Sequence, residues 1–260
     1  MLRKLGIGLA IAVALWLAVL AVGGIVARDY VKARLATRVG DSFHGEATVR
    51  SIELAFVRGH VELDGLSVKR SDALGSLTVA VDALRCEQWP LGLGLVEHGG
   101  RVLDLEGIRL EVSSLALVQW KKPKRRPIHA DQVVIRNATI TFAAGALVPG
   151  LDAIEIVIEH AEAGPTTFKS PLSWLFAVES LGMTVKLPAG IALHLDYADG
   201  QLAARGSLLG SRPITLPIVL PVSAAATDAH DELRALVTFG RDIATRLIER
   251  RVESLFGRVL

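Results

Sequence analysis

HVELDGLSV, residues 60–68, carries the clearest indication of fold class in this chain. Val61 and Leu63 alternate with polar and acidic residues, which is typical of a β-strand with one buried face. After Gly65 the apolar side chains fall at 66 and 68, so the alternation slips by one residue. Such a slip at a glycine is typical of a β-bulge. The segment therefore predicts two strand segments joined at a bulge.

A similar pattern returns twice along the chain. LDLEGIRL, residues 103–110, repeats it around Gly107, and VVIRNATITF, residues 133–142, has Asn137 in the place of the glycine. Asparagine is the other residue that adopts the left-handed backbone conformation at low cost. The three segments indicate a repeating strand–bulge–strand unit in a mainly β domain. Ordinary β patterning that resembles itself by chance is the alternative.

Further segments with period-two alternation extend the predicted sheet to about ten strands. A glycine turn at Asp199-Gly200 predicts a hairpin. SRPITLPIVLPV, residues 211–222, has its three prolines opposite an apolar face, which predicts an edge strand whose proline side meets no partner. The body, residues 41–222, is thus expected to be an antiparallel sheet in an α+β chain. Its other strands are predicted at residues 47–56, 76–86, 153–160, 191–197 and 201–209.

Two helices are predicted to accompany the sheet. PLSWLFAVESL, residues 171–181, has the pattern of a short helix with Ser170 as its cap. Apolar residues recur at spacings of three and four from residue 229 to 256, which predicts an amphipathic C-terminal helix within residues 227–258. That helix is expected either to cap one end of the sheet or to lie on a membrane.

The N-terminal segment LGIGLAIAVALWLAVLAVGGIVA, residues 5–27, contains 23 residues and no charge. A helix of that length reaches about 34 Å, enough for a hydrocarbon core of ~30 Å. The run is longer than the roughly 7–15 apolar residues of a cleavable signal peptide. The sequence therefore predicts an uncleaved single-span membrane anchor. Residues 1–4 would be a cytoplasmic tail, and residues 28–40 a juxtamembrane helix that ends at Gly40.

The charges around this segment leave its orientation open. More basic residues follow it than precede it, and a count of basic residues favours a cytoplasmic body. Large domains, however, are translocated largely regardless of such charges.

Composition argues against several classes of function. The net charge of +2 and an aromatic content of 5% disfavour nucleic-acid binding. Cys86 is the one cysteine and is expected to be a buried structural thiol. The seven histidines lack the spacing of metal ligands, and no phosphate-binding glycine loop occurs, so no metal or cofactor is expected.

The sequence GDSF, residues 40–43, imitates the start of a serine-esterase motif with Ser42 as nucleophile. That chemistry needs serine on a tight turn after a buried strand, and a late acid–histidine pair. The candidate pair, Asp228 and His230, is one residue too close. The chain is therefore predicted not to be an enzyme, and an anchored esterase is a distant alternative.

A basic segment, WKKPKRRP, occupies residues 120–127. Its prolines predict an exposed loop. One interpretation is that this loop contacts only solvent. The alternative is contact with anionic headgroups or an acidic partner. The candidate contact residues are Lys121, Lys122, Lys124, Arg125 and Arg126.

The order of anchor, short helix and the strands DSFHGEATVRSIELAFVRGHVELDGLSVKR, GSLTVAVDAL and RVLDLEGIRLEV resembles the N-terminal part of AsmA-like proteins of Gram-negative envelopes. The resemblance covers residues 5–112, and residues 130–142 loosely. It implies a strongly curved sheet with an apolar inner surface, held by the inner membrane and facing the periplasm, in a protein associated with lipid transport and outer-membrane maintenance.

Strand parity selects the residues expected to face the inside of such a groove, where acyl chains need only apolar area. They are Ile52, Leu54, Phe56, Val61, Leu63, Leu105, Ile108, Leu110, Ile135 and Ile140. A closed hydrophobic core is the alternative for these residues. The short chain also resembles the N subunit of type II secretion systems, which implies a structural or assembly component with protein partners instead of phospholipid.

Overall fold

A computed structural model describes residues 27–41, 43–55, 59–73, 75–87, 99–113, 128–143, 153–168, 173–207, 209–220 and 229–256. It confirms the mainly β class: eleven strands form one large, curved, unclosed sheet accompanied by two helices. Within these ranges no helix is both long and apolar enough to cross a membrane. The predicted span, residues 5–27, lies outside the described residues except for Ala27.

The strands follow one another in chain order and most pair with their neighbours in sequence. Helix α1 covers residues 27–41 and helix α2 covers Ala229–Phe256. A 3-10 turn lies at Ser173–Ala177 and another at Pro188–Gly190. The strands are β1 Glu46–Ala55, β2 His60–Asp72, β3 Gly75–Glu87, β4 Gly99–Val112, β5 Ile128–Ala143, β6 Ala153–Ala163, β7 Thr166–Phe168, β8 Val178–Leu187, β9 Ile191–Ala198, β10 Gln201–Gly206 and β11 Gly210–Pro217.

The strand order is β1-β2-β3-β4-β5-β6-β8-β9-β10-β11, with β7 paired to β5. The expectation of a purely antiparallel sheet is wrong at one place, because β4 and β5 are parallel. A parallel pair requires a connection that returns the chain along the length of the strands. Residues 114–127, which include the basic segment predicted to be an exposed loop, lie outside the described residues.

The repeated glycine motifs occupy equivalent places in the sheet. Gly65, Gly107 and Asn137 have positive φ angles of 61°, 65° and 55°. The pairing register is the same on both sides of each of them, so no residue is inserted and the slip is not a simple bulge. Instead, one row of residues crosses six strands at this level. We call this row the crease: Arg50, Gly65, Asp82, Gly107, Asn137 and Glu159.

The crease ends at β6. Ile158 pairs with Met183 and His160 with Gly182, so Glu159 has no paired residue in β8 and forms a bulge there. In each strand from β1 to β6, therefore, the alternation of apolar and polar side chains shifts by one residue where the strand crosses the crease. The strands beyond β8 keep one alternation throughout.

Helix α1 is attached alongside β1, the first edge of the sheet. Lys32 Nζ donates a hydrogen bond of 2.8 Å to the backbone oxygen of Arg50. The backbone N–H of Gly45 donates to the oxygen of Gly40 at 3.0 Å. Val31, Leu35 and Val39 recur at every fourth position and are half-buried, so one side of the helix packs against the body. Residues 28–40 are helical as predicted, but the helix continues beyond Gly40, its predicted end, to Asp41. Its juxtamembrane position stays a prediction.

Strand β11 forms the other edge, as the prolines predicted. The N–H of Ile218 donates to the oxygen of Gly200 at 2.8 Å, so alternate nitrogens point towards β10. The nitrogen of Pro217 therefore faces away from the sheet. Leu216 and Ile218 are buried, in agreement with the predicted apolar side.

The predicted helix at residues 171–181 is mostly wrong. The chain makes one 3-10 turn at Ser173–Ala177, and residues from Val178 onwards form β8 between β6 and β9. Backbone pairing on both sides outweighs the local helical pattern. The hairpin at Asp199-Gly200 is confirmed, since both residues have positive φ, 52° and 72°, as a type I′ turn requires.

Candidate functional site

One uninterrupted line of apolar side chains crosses ten strands of the sheet. Each member is paired in register with the next, and none is exposed. At ~4.8 Å between strands, nine spacings give a length of about 43 Å. We call this line the apolar row: Ile52, Leu63, Leu84, Leu105, Ile135, Ala161, Leu181, Tyr197, Leu202 and Leu216.

Parallel lines of apolar residues flank the row on both sides. On the far side of the crease, Val49 pairs with Leu66, Leu66 with Val81, and Ala47 with Val68. Without the slip at Gly65, Leu66 and Val68 would face the opposite side from Val61 and Leu63. The crease thus keeps all these side chains on one side, which we call the apolar face.

The structure places nine of the ten groove candidates on the apolar face. Ile52, Leu63 and Ile135 are buried, with 3%, 5% and 4% of their surface exposed. The other six are half-buried: Leu54, Val61, Leu105, Ile108, Leu110 and Ile140. Phe56 lies outside the described residues.

The sequence prediction missed several buried members of the same face, including Val49, Val68, Val81 and Val133. A parity count that reset at Gly65, which has a left-handed φ, would have found Val68. Cys86, the predicted structural thiol, is half-buried on this face and lies between Val61 and Leu103.

Part of the apolar face is a closed core. Phe239, Ile243 and Leu247 of α2 pack on buried residues of β9 to β11. Trp174 and Leu220 pack on residues of β5, β6 and β8. Among the hydrophobic clusters formed by described residues, those that include a helix or turn residue contain no residue of β1, β2 or β3. The closed-core interpretation therefore holds for β5 to β11. In β1 to β3, Ile52, Leu63 and Val68 are also buried, but no described helix or turn residue shares a hydrophobic cluster with them. The candidate site is this β1–β3 portion together with Leu110 of β4, which packs with Leu77.

The opposite face of the sheet is polar and carries a ladder of ion pairs. Arg85 Nε contacts Glu62 Oε1 at 2.7 Å, and Arg85 Nη1 contacts Glu106 Oε2 at 2.9 Å. Arg136 Nη1 contacts Asp104 Oδ2 at 3.1 Å. Hydrogen bonds from Arg85 to Glu62 and then Glu106 raise the pKa of the guanidinium further above its ordinary value. Arg85 is therefore always charged and acts as a cross-strand link.

The structure does not describe the residues of the predicted chemical sites. Ser42 and the five basic candidates, residues 121–126, lie outside the described residues. In the described part of the chain, no three His, Cys, Asp or Glu side chains are grouped so as to hold a metal ion.

Comparison of the sequence with models of known protein families and with curated proteins finds no match to either. The AsmA-like resemblance therefore stays a prediction.

Proposed function

We propose that this chain is a non-enzymatic, membrane-anchored protein of the bacterial envelope that holds lipid acyl chains against the β1–β3 portion of its apolar face. The single observation that carries the proposal is that Ile52, Leu63 and Leu84 continue the apolar row across β1 to β3, beyond the part that α2 and Trp174 cover. A surface of this kind binds by area alone, at roughly 25 cal/mol for each Å² removed from water. It suits a flexible hydrocarbon chain better than a polar substrate.

The anchor expected from residues 5–27 supports the same proposal, because it would hold the apolar face beside a bilayer. The AsmA-like resemblance adds the expected setting: the inner membrane, with the body in the periplasm and a role in lipid transport or outer-membrane maintenance.

Lipid retained by the full chain in a mild detergent tests the proposal. Native mass spectrometry is expected to show phospholipid bound to the wild type. Leu54→Glu and Leu110→Glu, each placing a charge on the apolar face, are expected to release it. Thr139→Glu is the matched control, because Thr139 pairs with Arg109 on the polar face. A wild type without lipid, or a fully loaded Leu110→Glu variant that is still folded, would reject the proposal.

A second candidate function is a structural component of an envelope or secretion complex. The observation that favours it is on α2, where Ile248 and Val252 lie one turn apart with 63% and 44% of their surface exposed. Exposed apolar side chains at this spacing are typical of a helix that packs on a partner. Stoichiometric co-purification of a protein that is lost in the double variant Ile248→Ser/Val252→Ser would support assembly instead of lipid binding.

A further inference from the structure

A guanidinium stands on the apolar face near the end of β2. Arg70 follows two residues after Val68, which is buried on that face, and it pairs in register with the buried Leu77 of β3. Side chains two residues apart in a strand point to the same side of the sheet. Arg70 therefore shares the apolar face, whereas Lys69 and Ser71, its neighbours in sequence, lie on the polar face.

Apolar side chains continue the row that Arg70 begins. Leu77 pairs with Val112, and Val112 with Phe142, so the row crosses four strands. At ~4.8 Å between strands, its three spacings give a length of about 14 Å. Leu77 and Val112 are buried, and half-buried neighbours pack on them without any described helix or turn residue. We call this group the end cluster: Leu77, Val79, Leu110, Val112 and Phe142.

The guanidinium of Arg70 is fixed in place and still has donors for a ligand. Nε donates to Oδ2 of Asp72 at 2.7 Å, and Nη2 contacts the same oxygen. None of the described residues is hydrogen-bonded to Nη1. Because Asp72 offsets the charge of the guanidinium, a ligand would be recognised by hydrogen bonds from Nη1 and not by net charge.

The surroundings of Arg70 favour such a hydrogen bond. Only 14% of the side chain is exposed, and electrostatic interactions are stronger where water is mostly excluded. On the β1 side, Gly45 has no side chain, and a Cβ there would lie 3.1 Å from the Cβ of Arg70. The site therefore has a positioned donor at one end and an apolar surface immediately beyond it.

We propose that Arg70 binds the phosphate of a phospholipid whose acyl chain lies on the end cluster. This inference rests on the proposed function and adds the polar end of its site. Nη1 donates to a phosphate oxygen, and the planar guanidinium matches phosphate geometry better than an ammonium does. Every phospholipid headgroup contains this phosphate, so no preference among headgroups is expected.

Two lipids with the same acyl chains separate the phosphate from the chains. The full chain, in detergent, is loaded with phosphatidylglycerol or with the matching diacylglycerol, and native mass spectrometry measures how much of each is retained. The wild type is expected to bind phosphatidylglycerol about tenfold more tightly, the factor for one hydrogen bond to a charged group. Arg70→Gln is expected to remove this difference and to leave the retention of diacylglycerol unchanged.

A second variant and a matched control keep the test decisive. Arg70→Lys retains a positive charge beside Asp72 and is expected to recover only part of the difference, because it lacks the planar fork. Lys69→Gln, at the exposed neighbour on the polar face, is expected to leave the difference unchanged. Circular dichroism checks that each variant is folded.

The failure of this site can be told apart from failure of the proposed function. Equal retention of both lipids by the wild type, or a difference that survives Arg70→Gln, would overturn the phosphate site and leave the proposed function standing. A difference that Lys69→Gln removes as completely would also overturn it. A wild type that retains neither lipid would instead reject the proposed function.

A further arm separates a lipid phosphate from free phosphate. Inorganic phosphate has the anion without the chains, and at the concentration of the lipid it is expected to displace no phosphatidylglycerol. Displacement would assign Arg70 to free phosphate and overturn the proposal.

Discussion

Replacing Gly107 by alanine adds a methyl group at the middle of the crease, where the backbone and a neighbouring side chain both oppose it. The φ angle of Gly107 is 65°, and the left-handed conformation costs an L-residue roughly 1–2 kcal/mol. The carboxylate of Asp82 occupies the place of the new Cβ. Asp82 would have to move away from Arg109, and this exposed ion pair is worth up to about 1 kcal/mol. We therefore expect Gly107→Ala to lower the free energy of unfolding by about 1–3 kcal/mol.

Urea denaturation of the full chain in detergent, followed by far-UV circular dichroism, measures this loss. Gly240→Ala is the matched control, because Gly240 lies in α2 with open space around its Cβ position. It is expected to stabilise the chain by about 1 kcal/mol, through helix propensity. Introduced into an Asp82→Ala background, Gly107→Ala should cost only the backbone part, because the ion pair with Arg109 is already absent there. Equal unfolding midpoints for Gly107→Ala and the wild type would refute the account of the crease.

Three other results are expected. Pro217→Val restores a backbone donor on the open side of β11, so light scattering should show increased self-association. Leu63 is in the apolar row with 5% of its surface exposed, so Leu63→Ala should lower the free energy of unfolding by about 2–5 kcal/mol in the same urea titration. The control Glu53→Ala, at an exposed residue, should change it by less than about 0.5 kcal/mol. A reporter enzyme active only in the periplasm, fused after Leu260, should be active; activity of a cytoplasmic reporter instead would contradict the expected orientation.

The local features of the fold could be predicted because each depends on a few neighbouring residues. Gly65, Gly107 and Asn137 indicated left-handed positions, and all three have positive φ. The prolines of the last strand indicated an edge, since a missing donor is tolerated only where no partner is present.

Features set by pairing between distant strands could not be predicted in this way. The parallel arrangement of β4 and β5 leaves no local signal, because side chains alternate identically in either direction. The same holds for the alignment of Gly65, Gly107 and Asn137 into one row, which depends on register. Val178 and the residues after it have a helical pattern in isolation, and only the strands on both sides, β6 and β9, make them a strand.

The alternation of residues along each strand was enough to predict which apolar residues share a face. Ile52, Leu63 and Leu105 were assigned to one face, and the structure places them in one row. The covering of β5 to β11 by Trp174, Leu220 and α2 depends on tertiary packing, so the sequence could not separate the closed part of the face from the β1–β3 part.

Site-specific photo-crosslinking in membranes shows which face of the sheet contacts lipid. Leu54 and Glu53 are neighbours on β1 whose side chains lie on opposite faces, and so do Leu110 and Arg109 on β4. With a photoreactive amino acid at one of these positions at a time, lipid adducts are expected at 54 and 110 and not at 53 and 109. Adducts of equal yield on both faces, or none at 54 and 110, would contradict lipid binding by the apolar face.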